Sequence, residues 1–124
     1  MEKSFSEKVA EAKAVVASIT AQEAHARKDN DPAVVFIDPR DPGDITSTGI
    51  IPGALNTPLS QLSSAALPDA LASKSRPIIT ACGAGPMGAL AAYALQQRGY
   101  DNVVFVDGGT KAWVEAGYAT NSLQ

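Results

Sequence analysis

The chain has 124 residues, 45% of them hydrophobic and 19% charged, with a formal net charge of −3 and one cysteine. That length suits one folded domain around one core, expected over residues 1–124 with N-terminal helices in 1–30 and core motifs in 33–118. Scattered Lys and Arg argue against a nucleic-acid partner, no apolar run reaches the roughly 18 residues of a membrane span, and one cysteine permits neither an internal disulfide nor a zinc site built on several thiolates.

Residues 4–17 read as an amphipathic helix, with Phe5, Val9, Ala12 and Val16 at helical spacing. Glu7, Lys8, Glu11 and Lys13 interrupt it, so no signal-peptide core forms, and the expected compartment is a reducing cytoplasm. Thr20 is a good N-cap for a second helix, Ala21 to Lys28, and Glu23 completes a capping box. Ala33-Val-Val-Phe-Ile37 is a buried strand, closed by a turn over residues 38–43. Residues 44–48 are polar and carry little signal. The segment Gly49-Ile-Ile-Pro-Gly-Ala54 leads into an extended piece through Pro58, and residues 59–75 suggest one or two short helical turns.

Pro77-Ile-Ile-Thr-Ala81 is the next strand, and it runs directly into Cys82. A glycine-rich stretch follows, Gly83-Ala-Gly-Pro-Met-Gly88, and then a helix from Ala89 to Arg98 with Gly99 at its C-cap. Asn102-Val-Val-Phe-Val106 is another buried strand. Asp107-Gly-Gly-Thr110 turns the chain into a last helix, Lys111 to Ala116, ended by Gly117. Nearly all-apolar strands alternating with helices indicate an α/β fold: a mostly parallel sheet of about five strands between helical layers. In such sheets the functional crevice lies beyond the carboxyl ends of the strands, where Cys82 falls.

A lone cysteine is commonly a small buried hydrophobe. Here a strand, a glycine-rich loop and a helix N-terminus surround it. Backbone N–H groups and the positive end of the helix can converge on such a sulfur, and the thiolate is the form that attacks. Other candidates are weaker. His25 reads as a solvated surface residue beside Glu23 and Arg27. Asp38 and Arg40 read as a structural ion pair at a strand end, with an anion contact as the alternative for Arg40. Trp113, Tyr93 and Phe105 read as core. Gly83 to Gly88 has the Gly-x-Gly-x-x-Gly spacing, but Cys82 precedes it and no acidic residue ends the next strand before Asp107, which argues against a dinucleotide site.

Four segments together resemble the rhodanese-like family in its small single-domain form. They are Val35-Phe-Ile-Asp38-Pro-Arg40, Gly49-Ile-Ile-Pro-Gly-Ala54, Cys82-Gly-Ala-Gly85, and Val106-Asp-Gly-Gly-Thr-Lys-Ala-Trp113 with Ala116-Gly117-Tyr118. The resemblance implies a three-layer domain and sulfur transfer through a persulfide on Cys82. The donor would be thiosulfate, 3-mercaptopyruvate or another persulfide, and the acceptor cyanide, a thiol or a protein. No metal or organic cofactor is needed for such a double displacement. The loop Gly83, Ala84, Gly85, Pro86, Met87 and Gly88 would bind substrate through backbone amides, with Asp38 and Arg40 in support. The glycines would let the backbone approach the sulfur closely.

The chain also departs from that pattern. Ile50 replaces a histidine, Met87 a threonine, and the loop has no Arg, Lys, Ser or Thr to read a charged donor. Pro86 contributes no N–H. A phosphatase would need an arginine at position 88, which is glycine. A rhodanese-fold binding or regulatory module with weak catalysis is therefore the alternative to the enzyme.

Overall fold

The structure, a computed structural model, describes residues 3–64, 67, 69–83 and 86–122. Part of the 59–75 segment and the loop residues Ala84 and Gly85 lie outside the described residues.

Five parallel strands form one sheet: β1 (Ser18–Ile19), β2 (Val35–Asp38), β3 (Leu55–Asn56), β4 (Ile78–Thr80) and β5 (Val103–Val106). Their spatial order is β1-β5-β4-β2-β3. From β2 the chain moves outward to β3, and from β4 it moves the other way to β5. The switch point therefore lies between β2 and β4, the place where open α/β sheets leave a crevice at the strand ends.

Successive strand residues face opposite sides. Phe36 and Ile79 point to one layer, packed with Ala21 and Ala24 of α2 (Ala21–Asn30) and Trp113 of α6 (Gly109–Glu115). Val35, Ile37 and Ile78 point to the other, against Ala91 and Leu95 of α5 (Pro86–Gln97) and Leu62 of α4 (Leu59–Ser64). The helix α1 (Phe5–Val15) lies in this second layer, where Ala12 and Val16 pack on Ala89 and Ala92 of α5 and on Phe105. The three-layer α/β architecture is as expected.

Several local expectations are corrected. Strand β1 was not anticipated: two residues carry no period, and pairing with β5 alone makes them a strand. The turn at 38–43 ends in a short helix, α3 (Pro42–Ile45), because Pro42 suits its first turn. Thr20 caps α2 through the Glu23 N–H at 3.0 Å, but the return bond of a capping box is absent. The Glu23 carboxylate instead accepts from Arg27 at 2.8 Å. Phe5 does not join the core and is 58% exposed. Tyr93 is half-buried and donates its hydroxyl to Glu11 at 3.1 Å, which ties α5 to α1. Among the described residues no helix is long and apolar enough to cross a membrane.

Candidate active site

Strand β4 is central, and its continuation delivers Ala81 and Cys82 to the switch point. Both are 2% exposed. Three backbone contacts fix this strand end. Ala81 N–H donates to the Ile37 carbonyl at 3.0 Å, Thr110 N–H to the Cys82 carbonyl at 2.5 Å, and Lys111 N–H to the Gly83 carbonyl at 2.9 Å. A fourth bond comes from Thr80, whose hydroxyl donates to the Gly88 carbonyl at 2.6 Å. The start of α5 is thus pinned to the strand that bears the cysteine.

Helix α5 begins at Pro86, three residues earlier than expected. Pro86, Met87 and Gly88 therefore form its first turn instead of extending the loop. Proline favours that position because the first N–H of a helix has no intrahelical acceptor. Gly83 and Gly88 are also less constrained than expected. A Cβ added at Gly88 would lie 3.5 Å from the Cys82 nitrogen, and one at Gly83 would lie 3.6 Å from Arg40 Nη1. Both are ordinary contacts, and neither residue has a positive φ.

Asp38 and Arg40 form a buried ion pair, 2% and 4% exposed. Arg40 Nε donates to Asp38 Oδ1 at 3.0 Å, and Nη2 to Asp38 Oδ2 at 2.7 Å. Nη2 also donates to the Gly49 carbonyl at 3.2 Å, and Nη1 to Thr48 Oγ1 at 2.9 Å and the Asp44 carbonyl at 3.3 Å. A guanidinium has five N–H groups, and these contacts occupy all of them. Asn56 Nδ2 holds the same turn from β3, donating to the carbonyls of Asp38 and Arg40 at 3.1 and 2.7 Å. Asp38 and Arg40 are thus an ion pair bonded into the turn after β2.

A cavity of about 330 Å³ opens over this end of the sheet. Cys82, Gly83, Pro86 and Met87 line it together with Arg40, Asp44 and Ser47. Phe5 also lines it, a contribution that sequence reasoning missed. A second hollow, of about 340 Å³, lies between residues 46–49 and 120–122 and is lined without a titratable side chain.

His25 is not simply solvated. Its ring stacks on Tyr118 at 4.0 Å between centroids and approaches Trp113 at 5.4 Å. Trp113 is buried as expected and donates its indole N–H to the Ala119 carbonyl at 2.8 Å. His25 thus belongs to an aromatic cluster against α6, and it does not line the Cys82 cavity.

Residues 20–116 match the rhodanese-like domain. The chain belongs to the rhodanese-like domain family. A rhodanese domain-containing protein of Drosophila melanogaster is 32% identical over 96 residues, covering 69% of this chain and 86% of that protein. An Arabidopsis thaliana mitochondrial protein, HIGH ARSENIC CONTENT 1, is 46% identical over 46 residues, which span 37% of this chain and only 27% of that protein. Among solved structures, a Rhodopseudomonas palustris protein of unknown function, described as a possible tyrosine phosphatase, superposes with a TM-score of 0.82 at 28% identity. The match covers 97% of this chain and 96% of that one. The Wolinella succinogenes polysulfide-sulfur transferase homodimer shares the fold, with a TM-score of 0.70 at 23% identity over 96% of this chain and 86% of that one.

Proposed function

We propose that this rhodanese-like domain is a sulfurtransferase that carries a sulfane sulfur as a persulfide on Cys82. The observation that carries the reading is the position of Cys82 in the 330 Å³ cavity, where the central strand meets the first turn of α5.

The Cys82 sulfur attacks the outer sulfur of the donor, and a new S–S bond forms. The donor's own bond to that sulfur breaks, and its electron pair leaves with sulfite from thiosulfate, the enolate of pyruvate from 3-mercaptopyruvate, or a thiolate from an organic persulfide. Cyanide or a thiol then takes the outer sulfur and regenerates Cys82. Backbone amides of Gly83, Ala84, Gly85, Met87 and Gly88 would hold the negative persulfide; those of Met87 and Gly88 lie in the first turn of α5, where N–H groups lack intrahelical acceptors and cost no reorganisation. Pro86 and Met87 shape access. Asp38 and Arg40 support the site by fixing the turn after β2. A reduced nucleophile of this kind suits a reducing compartment such as the cytoplasm.

The alternative is a binding or regulatory module. It draws on the cavity walls, where Arg40 is the one cation among the described lining residues and has no N–H left for a ligand.

Intact-mass analysis separates the two. After exposure to thiosulfate, 3-mercaptopyruvate or an organic persulfide, the wild type is expected to gain one sulfur that cyanide removes, and Cys82→Ser to gain none. No adduct from any donor on a folded protein favours the module. A Met87→Arg variant that newly accepts thiosulfate would show a competent scaffold lacking only a charged contact.

A further inference from the structure

Phe5 lies outside the matched family segment, which begins at residue 20, yet its side chain borders the cavity that holds Cys82. It is a large apolar side chain that is 58% exposed, at the first position of a capped helix. The helix is not loosely attached. Ala12 and Val16 pack on Ala89 and Ala92, and Tyr93 bonds Glu11, so α1 is docked along the helix whose first turn carries Pro86 and Met87. Phe5, Pro86 and Met87 thus supply the large apolar part of the cavity lining.

The charged part of the lining does not suit a small dianion. Arg40 has spent its five N–H groups and is neutralised by Asp38, and Asp44 adds a carboxylate to the lining. A dianionic donor would meet that carboxylate with backbone amides, and no free cationic side chain among the described lining residues, to offset it. A donor with a carbon body would instead bury apolar surface against Phe5 and Met87.

We propose that Phe5 is the donor-specificity residue of this site, packing against the carbon body of an organic sulfur donor in preference to an inorganic dianion. The inference rests on the sulfurtransferase reading for its reaction, but its contact can be tested without it.

Benzenethiosulfonate and thiosulfate carry the same transferable sulfur and differ by a phenyl ring in place of an oxyanion. Cys82 displaces benzenesulfinate from the first and sulfite from the second. The wild type should load sulfur faster from benzenethiosulfonate, and Phe5→Ala should lower the benzenethiosulfonate-to-thiosulfate rate ratio about three- to tenfold, the range expected for one aromatic contact. Val15→Ala, on the exposed far end of the same helix, should leave that ratio unchanged.

The parallel arm alkylates Cys82 with N-benzyliodoacetamide and with iodoacetamide, each losing iodide as the sulfur–carbon bond forms. Phe5→Ala should lower the benzyl-to-parent ratio by a similar factor. An unchanged alkylation ratio, or no reaction of Cys82 with either reagent, overturns the role of Phe5. A fallen alkylation ratio with no sulfur loading of the wild type keeps the Phe5 contact and overturns sulfur transfer.

Discussion

The backbone N–H of Thr110 donates to the Cys82 carbonyl at 2.5 Å, so the start of α6 holds the cysteine-bearing end of β4. The Thr110 side chain does nothing comparable. It is fully buried, and its Oγ1 has no hydrogen-bond partner among the described residues. An unpaired buried hydroxyl costs about 1–3 kcal/mol of desolvation. Thr110→Val keeps the shape and the backbone bond while removing that cost. Urea unfolding should find the variant as stable as the wild type, or more stable by about 1 kcal/mol. A clear loss of stability would mean that the hydroxyl is bonded in solution.

The Asp38–Arg40 pair makes the opposite prediction. Removing one member of a buried ion pair strands the other charge and costs about 3–5 kcal/mol. Asp38→Ala should therefore unfold at a much lower urea concentration. Arg40→Lys keeps the charge but cannot reach Asp38, Thr48, Asp44 and Gly49 together, and should lose about 1.5–3 kcal/mol. If Arg40→Lys kept full stability and lost sulfur loading, Arg40 would be touching the donor, and its structural assignment would fail.

Two glycines should respond in opposite ways to alanine. Gly49 has φ +77°, and a Cβ there would sit 2.6 Å from Thr120 Oγ1 and 2.8 Å from the Asn121 carbonyl oxygen. Gly49→Ala combines strain with a clash and should cost about 1–3 kcal/mol or more. Gly88 lies in α5 with only ordinary contacts for a new Cβ. Gly88→Ala should be neutral or gain up to about 1 kcal/mol from helix propensity. Thermal melts of the two variants check the contrast, and a large loss at Gly88 would restore the expectation that glycine is needed there.

Phosphate monoesters test the possible-phosphatase description of the Rhodopseudomonas relative against this chain. Phosphoryl transfer needs unspent donors to clamp the equatorial oxygens. Position 88 is glycine, and the arginine in the cavity wall has its N–H groups occupied. Hydrolysis of p-nitrophenyl phosphate by the wild type should equal that by Cys82→Ser. Turnover that depends on Cys82 would contradict this account.

What was legible in the sequence follows from where the information resides. The continuous β-branched runs at 33–37, 77–81 and 102–106 match β2, β4 and β5 to within two residues, because buried parallel strands need apolar side chains on both faces. Cys82 was placed at a strand end by the same reasoning. The start of α5 was misplaced because Gly85, Pro86 and Gly88 all read as loop formers, although proline at a first helical position was the available signal. Strand β1 exists through its partner and has no local signature. Phe5 had none either: its place beside Cys82 depends on α1 packing along α5, a tertiary relationship between residues far apart in sequence.

The capping box under Phe5 makes its position sensitive to acid. Ser4 N–H donates to Glu7 Oε1 at 3.0 Å, and Glu7 N–H donates to Ser4 Oγ at 3.1 Å. The bond from the Ser4 backbone, then the Ser4 side chain, hold the Glu7 carboxyl below its ordinary value, with Lys3 adding a smaller pull. A lowered folded pKa means that this support is complete above the ordinary carboxylate range and is lost as pH falls through the depressed value. The first turn of α1 should therefore fray in acid, and Phe5 should loosen from the cavity lining. Amide hydrogen exchange can follow this at Glu7 and Lys8, whose N–H groups bond Ser4 Oγ and the Ser4 carbonyl. Their protection factors should drop on acidification while that of Ala92, in the middle of α5, holds. Glu7→Gln should remove the pH dependence, and its persistence in that variant would assign the acid sensitivity to another group.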